Sequence, residues 1–294
     1  MWQSYFQKIK ENDFKAIARC ISLIENEAPG YTEFLEQLPS GNATVIGITG
    51  PPGAGKSTIT DGLIGHLLQE NKKVAVLCVD PSSPFNLGAV LGDRIRMNQW
   101  YNSPNVFIRS LATRGSMGGL HPKILEITSL MQASIFDYII VETVGVGQSE
   151  IEIAGLADVT VVVIVPEAGD EIQTMKAGLM EIADIFVVNK SDREGADIFV
   201  KNLKQMLAPA FQKHREVPVI KTVALKNEGL DKLKDAIINL SKNHNKERKN
   251  WLLAERAYQL IQQHKMKSIL KDDLKKEIEQ IENFNIHKFI KKYF

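Results

Sequence analysis

The sequence predicts an α/β fold with a mostly parallel sheet flanked by helices, an N-terminal helical extension and a C-terminal helical arm. The first observation is a series of apolar runs that alternate with helical segments along the 294 residues. Runs this continuously apolar indicate strands covered on both faces, which is typical of parallel sheets. The second is the helical spacing of apolar residues near both ends of the chain. The apolar runs are residues 44–49, 74–79, 106–111, 138–141, 159–165, 185–188 and 217–220.

The N-terminal extension, residues 1–42, precedes a predicted central domain, residues 43–241. Apolar side chains at helical spacing in residues 13–27 indicate an amphipathic helix that packs on this domain. A Pro-Gly pair ends the helix, and a short helix follows through residues 34–38. A Pro-Ser-Gly-Asn linker then leads into the first strand of the sheet.

The C-terminal arm, residues 242–294, differs in composition from the domain before it. Lys, Glu, Asn and Gln surround apolar residues at three- and four-residue spacing, which predicts two long helices broken near residues 267–272. Two interpretations are open. The helices fold back on the central domain, or they form an arm that pairs with another subunit.

Composition and charge exclude several classes of function. The formal net charge is +1, so no long-range field recruits nucleic acid or an anionic membrane, and neither is a predicted partner. No apolar run approaches the roughly 20 residues of a membrane span, and the first residues lack the apolar core of a signal peptide. We therefore expect a cytoplasmic protein. Cys20 and Cys78 lie far apart in apolar patterns, which favours buried thiols over a disulfide or a metal pair.

Residues 50–57, Gly-Pro-Pro-Gly-Ala-Gly-Lys-Ser, fit the phosphate-binding pattern G-x-x-x-x-G-K-[ST]. An apolar strand enters this loop and a helix leaves it, so the helix N-terminus points at the bound anion. Backbone N–H groups surround phosphate oxygens, Lys56 reaches the β- and γ-phosphates, and the Ser57 hydroxyl meets Mg²⁺. The predicted nucleotide contacts in this loop are Gly50, Pro51, Pro52, Gly53, Ala54, Gly55, Lys56, Ser57 and Thr58.

A base-recognition motif, Asn-Lys-Ser-Asp, directly follows the strand at residues 185–188 and fits the guanine signature N-K-x-D. The Asp192 carboxylate can accept hydrogen bonds from guanine N1–H and from the exocyclic amine, whereas adenine would leave a buried charge unpaired. Further along the chain, the backbone of Ala224 and Leu225 could close over the base. The predicted base contacts are Asn189, Lys190, Asp192, Ala224 and Leu225, and the predicted nucleotides are GTP and GDP.

An E-x-x-G motif begins with Glu142, directly after the strand at residues 138–141. The Glu142 carboxylate is placed to hold Mg²⁺ directly or through water, and the Gly145 N–H to sense the γ-phosphate. Val146 stands where many regulatory GTPases carry a water-orienting Gln, and its side chain cannot orient water. Gln148 reaches the site only if the loop rearranges. We therefore expect slow hydrolysis by the isolated protein and acceleration by a partner.

Two further carboxylates, Asp80 and Asp93, lie between these motifs. Asp80 ends a buried strand and Asp93 follows a segment rich in Gly, Pro and Ser, so together they could contact Mg²⁺ or its waters and report the γ-phosphate as a switch. For Asp93 the alternative is a helix N-cap beside Arg96. The predicted metal ligands are Ser57, Asp80, Asp93 and Glu142, and the predicted catalytic residues are Lys56, Asp93, Glu142 and Gly145.

The set of motifs, in this order, closely resembles the MeaB/ArgK family of P-loop GTPases. The shared motifs lie within residues 44–230 and are G-P-P-G-A-G-K-S-T, V-D-P-S-S-P-F, L-G-D-R-I-R-M, F-I-R-S-L-A-T-R-G-S-M-G-G-L, V-E-T-V-G-V-G-Q-S-E, V-P-E-A-G-D-E-I-Q and N-K-S-D. The resemblance implies a SIMIBI-class GTPase that acts as a chaperone of an adenosylcobalamin-dependent acyl-CoA mutase, chiefly methylmalonyl-CoA mutase. It also implies a homodimer. The phosphate and Mg²⁺ contacts that it implies are Lys56, Ser57, Asp80, Asp93 and Glu142, and the guanine contacts are Asn189, Lys190 and Asp192.

The resemblance further implies a relay from the mutase to the nucleotide. Residues 166–176 resemble the third switch of the family, and Lys176 is the expected relay residue, together with Gln148 and Asp170. From the residues alone, this segment is only a polar loop capped by Asp170 that opens a helix.

Two other functions are open alternatives. A small-molecule kinase linked to amino-acid transport would need an acceptor pocket and a base near the γ-phosphate, and no such constellation is evident in the sequence. A GTPase metallochaperone would need a Cys/His cluster near the phosphate loop or the switches, and His66, His121 and Cys78 are isolated. Cobalamin leaves no signature in the sequence, so we assign it to the partner.

Overall fold

The computed structural model describes residues 2–80, 97–113, 120–145, 149–167, 180, 182–210, 217–242, 246–266 and 268–293. The chain divides into two compact units, residues 1–246 and residues 247–294. Each unit is described by itself below.

The first unit contains a seven-stranded sheet. Its strands are β1 Thr44–Thr49, β2 Val74–Asp80, β3 Val106–Ala112, β4 Tyr138–Glu142, β5 Val159–Ile164, β6 Ile185–Val188 and β7 Val219–Lys221. The strand order is β3-β2-β4-β1-β5-β6-β7, and all neighbouring pairs run parallel. The predicted α/β fold with a parallel sheet flanked by helices is therefore confirmed.

The helices of this unit lie before, between and after the strands. They are α1 Gln3–Lys10, α2 Phe14–Glu25, α3 Tyr31–Glu36, α4 Lys56–Gln69, α5 Ile124–Gln132, α6 Ser149–Leu156, α7 Ala196–Ala210 and α8 Leu230–Lys242. Short 3-10 turns cover Asn98–Trp100 and Ala224–Lys226. Helix α1 had no counterpart in the sequence prediction, whereas α2 lies within the predicted helical span.

Strand β7 begins later than its apolar run predicts. The run starts at Val217, but the strand pairing with β6 starts at Val219. Pro218 lies between them and has no N–H to donate to the ladder, so regular pairing begins after it. The Pro218 carbonyl still accepts a hydrogen bond from Phe186 N.

Alternating side chains of the strands point into apolar layers on the two faces of the sheet. On one face, α2, α3, α5 and α6 pack against alternate residues of β1 to β4, such as Leu77, and α7 packs against β5 and β6. On the other face, α4 and α8 pack against the intervening residues, such as Val76. Because both faces are covered, the strands read as continuous apolar runs.

Helix α2 is held to the sheet by charge as well as by apolar packing. Asp13 caps its N-terminus by accepting hydrogen bonds from Lys15 N and Ala16 N. Near its C-terminus, Glu25 Oε2 accepts a 2.8 Å hydrogen bond from Arg109 of β3. The N-terminal extension is therefore bound directly to the edge strand of the sheet.

Both cysteines are free and buried, as the sequence predicts. Burial raises the pKa of the Cys20 thiol to about 12. A thiol with so high a pKa is almost entirely protonated at neutral pH and is a poor nucleophile.

The second unit is helical, with α9 Lys246–Met266, α10 Lys271–Glu279 and α11 Ile286–Ile290. The break after α9 lies where the sequence predicts it. The expectation of a second long helix was wrong, because α10 ends at Glu279 and a separate helix follows. Asn285 caps that helix by accepting a hydrogen bond from Lys288 N, and such a cap starts a new helix rather than continuing the old one. Among the described residues, no helix combines the length and apolar character that crossing a membrane requires.

We predict that Gly47→Ala destabilises the first unit by about 1–3 kcal/mol, because the position is overpacked. A Cβ on Gly47 of β1 would lie 2.9 Å from the Ala157 Cβ and against Ile153 of α6. Urea unfolding measures the change. Gly65→Ala is the matched control, since among the described residues its Cβ meets Trp100 alone, at 3.6 Å, and alanine favours the α4 helix. An equal loss of stability in both variants would contradict close packing of α6 on β1.

Candidate nucleotide-binding site

The glycine-rich loop connects the end of β1 at Thr49 to the start of α4 at Lys56. Gly50 and Gly55 both adopt positive φ, at 138° and 93°. A Cβ at Gly50 would overlap the Val163 carbonyl oxygen, and one at Gly55 would overlap the Asn189 amide nitrogen. Only glycine therefore satisfies both the torsion angles and the space, and the loop brings its backbone N–H groups to the N-terminus of α4.

Lys56 is buried against its own loop. Its Nζ donates hydrogen bonds to the carbonyl oxygens of Gly50 at 2.9 Å and Pro51 at 3.2 Å. Gly145 lies directly beside it, because a Cβ there would overlap the Lys56 Nζ and the Gly50 carbonyl. The structure thus brings together Gly50, Lys56 and Gly145. These residues belong to two separate motifs that the sequence assigned to phosphate binding.

A buried carboxylate lies at the start of α4. Glu142, 4% exposed at the end of β4, accepts a 2.6 Å hydrogen bond from Ser57 Oγ and a 3.0 Å hydrogen bond from Thr60 Oγ1. Asp80, 6% exposed, ends the neighbouring strand β2. Thr60 was not among the predicted site residues, although it follows Lys56 by one helical turn and its hydroxyl also donates to the Lys56 carbonyl.

Asn189 connects the phosphate loop to the loop that follows β7. This side chain is 3% exposed. Its Nδ2 donates a 2.8 Å hydrogen bond to the Ala54 carbonyl. Its Oδ1 accepts hydrogen bonds of 3.1 Å from Thr222 Oγ1 and from Ala224 N. All of these bonds join segments distant in sequence, so Asn189 fixes the two sides of the site relative to each other.

The two charged residues of the N-K-x-D motif lie near the surface. Lys190 adopts positive φ, at 55°, which turns the chain after Asn189. Asp192 Oδ2 accepts a 3.2 Å hydrogen bond from Lys226 Nζ. This ammonium holds the pKa of the Asp192 carboxyl below its ordinary value, so Asp192 is ionised and acts only as an acceptor at neutral pH.

Most of the predicted nucleotide contacts line a single cleft of about 490 Å³. Its lining includes the predicted residues Gly53, Gly55, Lys56, Ser57, Thr58, Glu142, Asn189, Lys190, Asp192, Ala224 and Leu225, together with Arg193, Val223 and Lys226. The described lining does not include Gly50, Pro51, Pro52, Ala54, Asp80 and Gly145. Asp93, Val146, Gln148, Asp170 and Lys176 lie outside the described residues.

A phosphate loop and a base-side loop at one edge of a parallel sheet define the chain as a P-loop nucleotide-binding protein. The sequence model of the family described as methylmalonyl-CoA mutase-associated GTPase MeaB matches residues 17–283. The chain therefore belongs to the MeaB family, and it is a GTPase that binds GTP and GDP.

Individual relatives agree with this assignment. A relative from Pyrococcus abyssi with a provisional GTPase name is 48% identical over 243 residues, which cover 81% of this chain and 75% of the relative. The fused isobutyryl-CoA mutase of Geobacillus kaustophilus is 38% identical over 234 residues, which cover 74% of this chain and 22% of that protein. The crystal structure of a protein named LAO/AO transport system kinase superposes with a TM-score of 0.69 at 25% identity, covering 99% of this chain and 96% of that one.

We predict that Asn189→Ala lowers the free energy of unfolding by about 2–4 kcal/mol. The substitution removes the hydrogen-bond partner of the Ala54 carbonyl, the Thr222 hydroxyl and the Ala224 N–H. Urea unfolding of the nucleotide-free protein measures the loss. Asn202→Ala on the exposed face of α7 is the matched control and is expected to change stability by less than about 0.5 kcal/mol. A similarly small change in Asn189→Ala would contradict a role of this network in holding the loops together.

Proposed function

We propose that the chain is a GTP-dependent chaperone of an adenosylcobalamin-dependent acyl-CoA mutase, with methylmalonyl-CoA mutase as the expected client. The observation that carries this proposal is the related segment within the fused isobutyryl-CoA mutase of Geobacillus kaustophilus. Fusion holds two parts of one protein at high effective concentration, which favours parts that act on each other. The family description names a methylmalonyl-CoA mutase as well. A member of this family that is not fused to its mutase is then expected to bind the mutase reversibly.

In the proposed nucleotide complex, residues 50–57 surround the phosphates and Lys56 binds the β- and γ-phosphates. The position of Lys56 at the N-terminus of α4 supports this role, because an ammonium and oriented N–H groups both favour an anion. Asn189, Lys190 and Asp192 bind the guanine base, with the backbone of Ala224 and Leu225 closing over it. Leu225 is 88% exposed at this end of the cleft, so its apolar side chain is available to cover a base.

The residues around Ser57 fit Mg²⁺, whose preferred ligands are hard oxygen atoms. Ser57 Oγ already contacts the buried Glu142 carboxylate, and the buried Asp80 carboxylate lies at the end of the adjacent strand. We propose that Ser57, Asp80 and Glu142 hold the ion, with Asp93 as a further ligand. When bound, Mg²⁺ neutralises charge on the phosphate oxygens. Thr60 keeps Glu142 oriented toward Ser57 through its own hydrogen bond.

Hydrolysis is proposed to depend on the partner. Val146 follows Gly145 where regulatory GTPases carry a water-orienting Gln, and its isopropyl group has no polar atom to hold the attacking water. We propose that the mutase rearranges Gln148 toward the site and that Asp170 and Lys176 relay its presence. In this scheme Gly145, whose Cα lies beside Lys56, senses the γ-phosphate through its N–H.

We predict that the mutase raises the single-turnover rate of GTP hydrolysis by at least about tenfold, the scale of positioning one catalytic group. Rapid-quench assays with γ-labelled GTP, with and without purified methylmalonyl-CoA mutase, measure the change. An enzyme that uses no cobalamin, added at the same concentration, is the control. Fast hydrolysis by the isolated chain, or a rate indifferent to any acyl-CoA mutase, would contradict the proposal.

A small-molecule kinase is the second candidate, because a protein named LAO/AO transport system kinase has a similar structure. The described cleft is lined by the residues proposed to bind the phosphates and the guanine base, which supports hydrolysis of GTP. The γ-labelled GTP assay distinguishes the two functions. Transfer of label to an amino acid or another acceptor, instead of release as free phosphate, would favour the kinase.

We also propose that the second unit pairs with another copy of the chain to form a homodimer. Its long helix α9 exposes large apolar side chains, and Trp251 and Tyr258 lie seven residues apart on one face. Exposed apolar side chains on one helical face are typical of an interaction surface.

We predict that Trp251→Ser combined with Tyr258→Ser weakens self-association at least about tenfold, because each aromatic side chain loses its apolar burial in the interface. Sedimentation equilibrium measures the dimer dissociation constant. His264→Ser, exposed on a different side of α9 from Trp251 and Tyr258, is the control and is expected to leave the constant unchanged. Retention of the dimer in the double variant would place the contact elsewhere.

A further inference from the structure

Asp192 and Lys226 face each other at the base end of the cleft. Lys226 Nζ lies 3.2 Å from Asp192 Oδ2, and both residues line the cleft. Lys226 ends the turn Ala224–Lys226, whose first N–H is bound to Asn189 Oδ1. The backbone of Lys226 is therefore fixed near the base site, while its side chain is 58% exposed and free to change rotamer.

Two of the neighbouring cations have other acceptors. Arg193 pairs with Glu167, and Lys221 donates a 2.6 Å hydrogen bond to Asp197. Among the ion pairs that the structure describes, the cation on Asp192 is Lys226. The depressed pKa of Asp192, caused first by this hydrogen bond, agrees with the pairing.

The donors on the base decide how many oxygens of the Asp192 carboxylate a nucleotide can use. Guanine carries two donors on this edge, N1–H and the exocyclic amine, and together they occupy both carboxylate oxygens. Hypoxanthine, the base of inosine nucleotides, keeps N1–H and lacks the amine, so it leaves one oxygen without a partner from the base. An unsatisfied carboxylate oxygen beside a bound base costs affinity.

We propose that Lys226 determines how strictly the site requires the exocyclic amine, because its ammonium pairs with the Asp192 oxygen that hypoxanthine leaves open. In the guanine complex the two base donors displace Lys226 from the carboxylate. In the hypoxanthine complex Lys226 keeps its bond. The site therefore accepts 6-oxopurine nucleotides as a class, while adenine stays excluded because its N1 is an acceptor. This inference rests on the proposed guanine site and extends it to a second base.

The test is a double-mutant cycle between Lys226 and the exocyclic amine. The dissociation constants of GDP and IDP are measured by isothermal titration calorimetry in the full chain and in Lys226→Met. We expect the ratio of the IDP constant to the GDP constant to rise by about twofold to fivefold in Lys226→Met, the range of an exposed ion pair. GDP and IDP carry the same phosphates, so the loss of long-range attraction from Lys226 cancels in the ratio.

Two variants serve as controls for charge and geometry. Lys221→Met removes a nearby positive charge that pairs with Asp197, and its ratio is expected to equal that of the natural chain. Lys226→Arg keeps a cation within reach of Asp192, and its ratio is expected to stay close to the natural one. A ratio that rises equally in Lys221→Met would contradict the specific role of Lys226.

Asp192→Asn separates failure of this inference from failure of the guanine site. If Asp192 reads the base, its replacement brings the IDP and GDP constants together. If Asp192→Asn keeps the natural ratio, the proposed guanine site is wrong and the inference fails with it. If Asp192→Asn removes the discrimination but Lys226→Met leaves the ratio unchanged, the guanine site is supported and the role of Lys226 is refuted.

Discussion

The parallel direction of the strands is the constraint on which the site depends. Because neighbouring strands run the same way, the segments that leave β1, β4, β6 and β7 meet at one edge of the sheet. The phosphate loop, Glu142, Asn189 and the turn at residues 224–226 therefore converge, although the Asn189 side chain and its Ala54 acceptor are 135 residues apart. An antiparallel strand in any of these places would send its polar residue to the opposite edge.

Two buried polar side chains turn this proximity into a defined geometry. Asn189 joins the phosphate loop to the base-side turn, and Glu142 joins the first turn of α4 to the end of β4. Each is almost fully buried, so its hydrogen bonds must be made within the protein. Loops held in place before the nucleotide arrives lose less conformational entropy when it binds, which favours affinity. The hydrogen bonds of these two side chains thus fix the positions of the phosphate end and the base end of the cleft.

The N-terminal extension is part of the folded core of the first unit. Helix α2 buries one apolar face against the sheet, and Glu25 binds Arg109 in the edge strand β3. At the start of α5, burial disfavours the charged form of Lys123, but the Glu27 and Glu126 carboxylates outweigh it and raise the pKa of the ammonium. Lys123 therefore remains charged and links the end of α2 to α5. Of these ion pairs, the one between Glu25 and Arg109 reaches β3, the edge strand farthest from β7.

The sequence by itself determined the phosphate loop, the strand β6 at residues 185–188, the break after α9 and the family. Those features depend on neighbouring residues, because torsion angles, periodicity and short motifs are local. Tertiary structure decided which hydrogen-bond partners the site residues have. Nothing near Asn189 in sequence indicates Ala54, and neither the bond of Thr60 to Glu142 nor that of Lys226 to Asp192 has a local signal. The order in which the strands pair sets these contacts, and that order follows from packing over the whole chain.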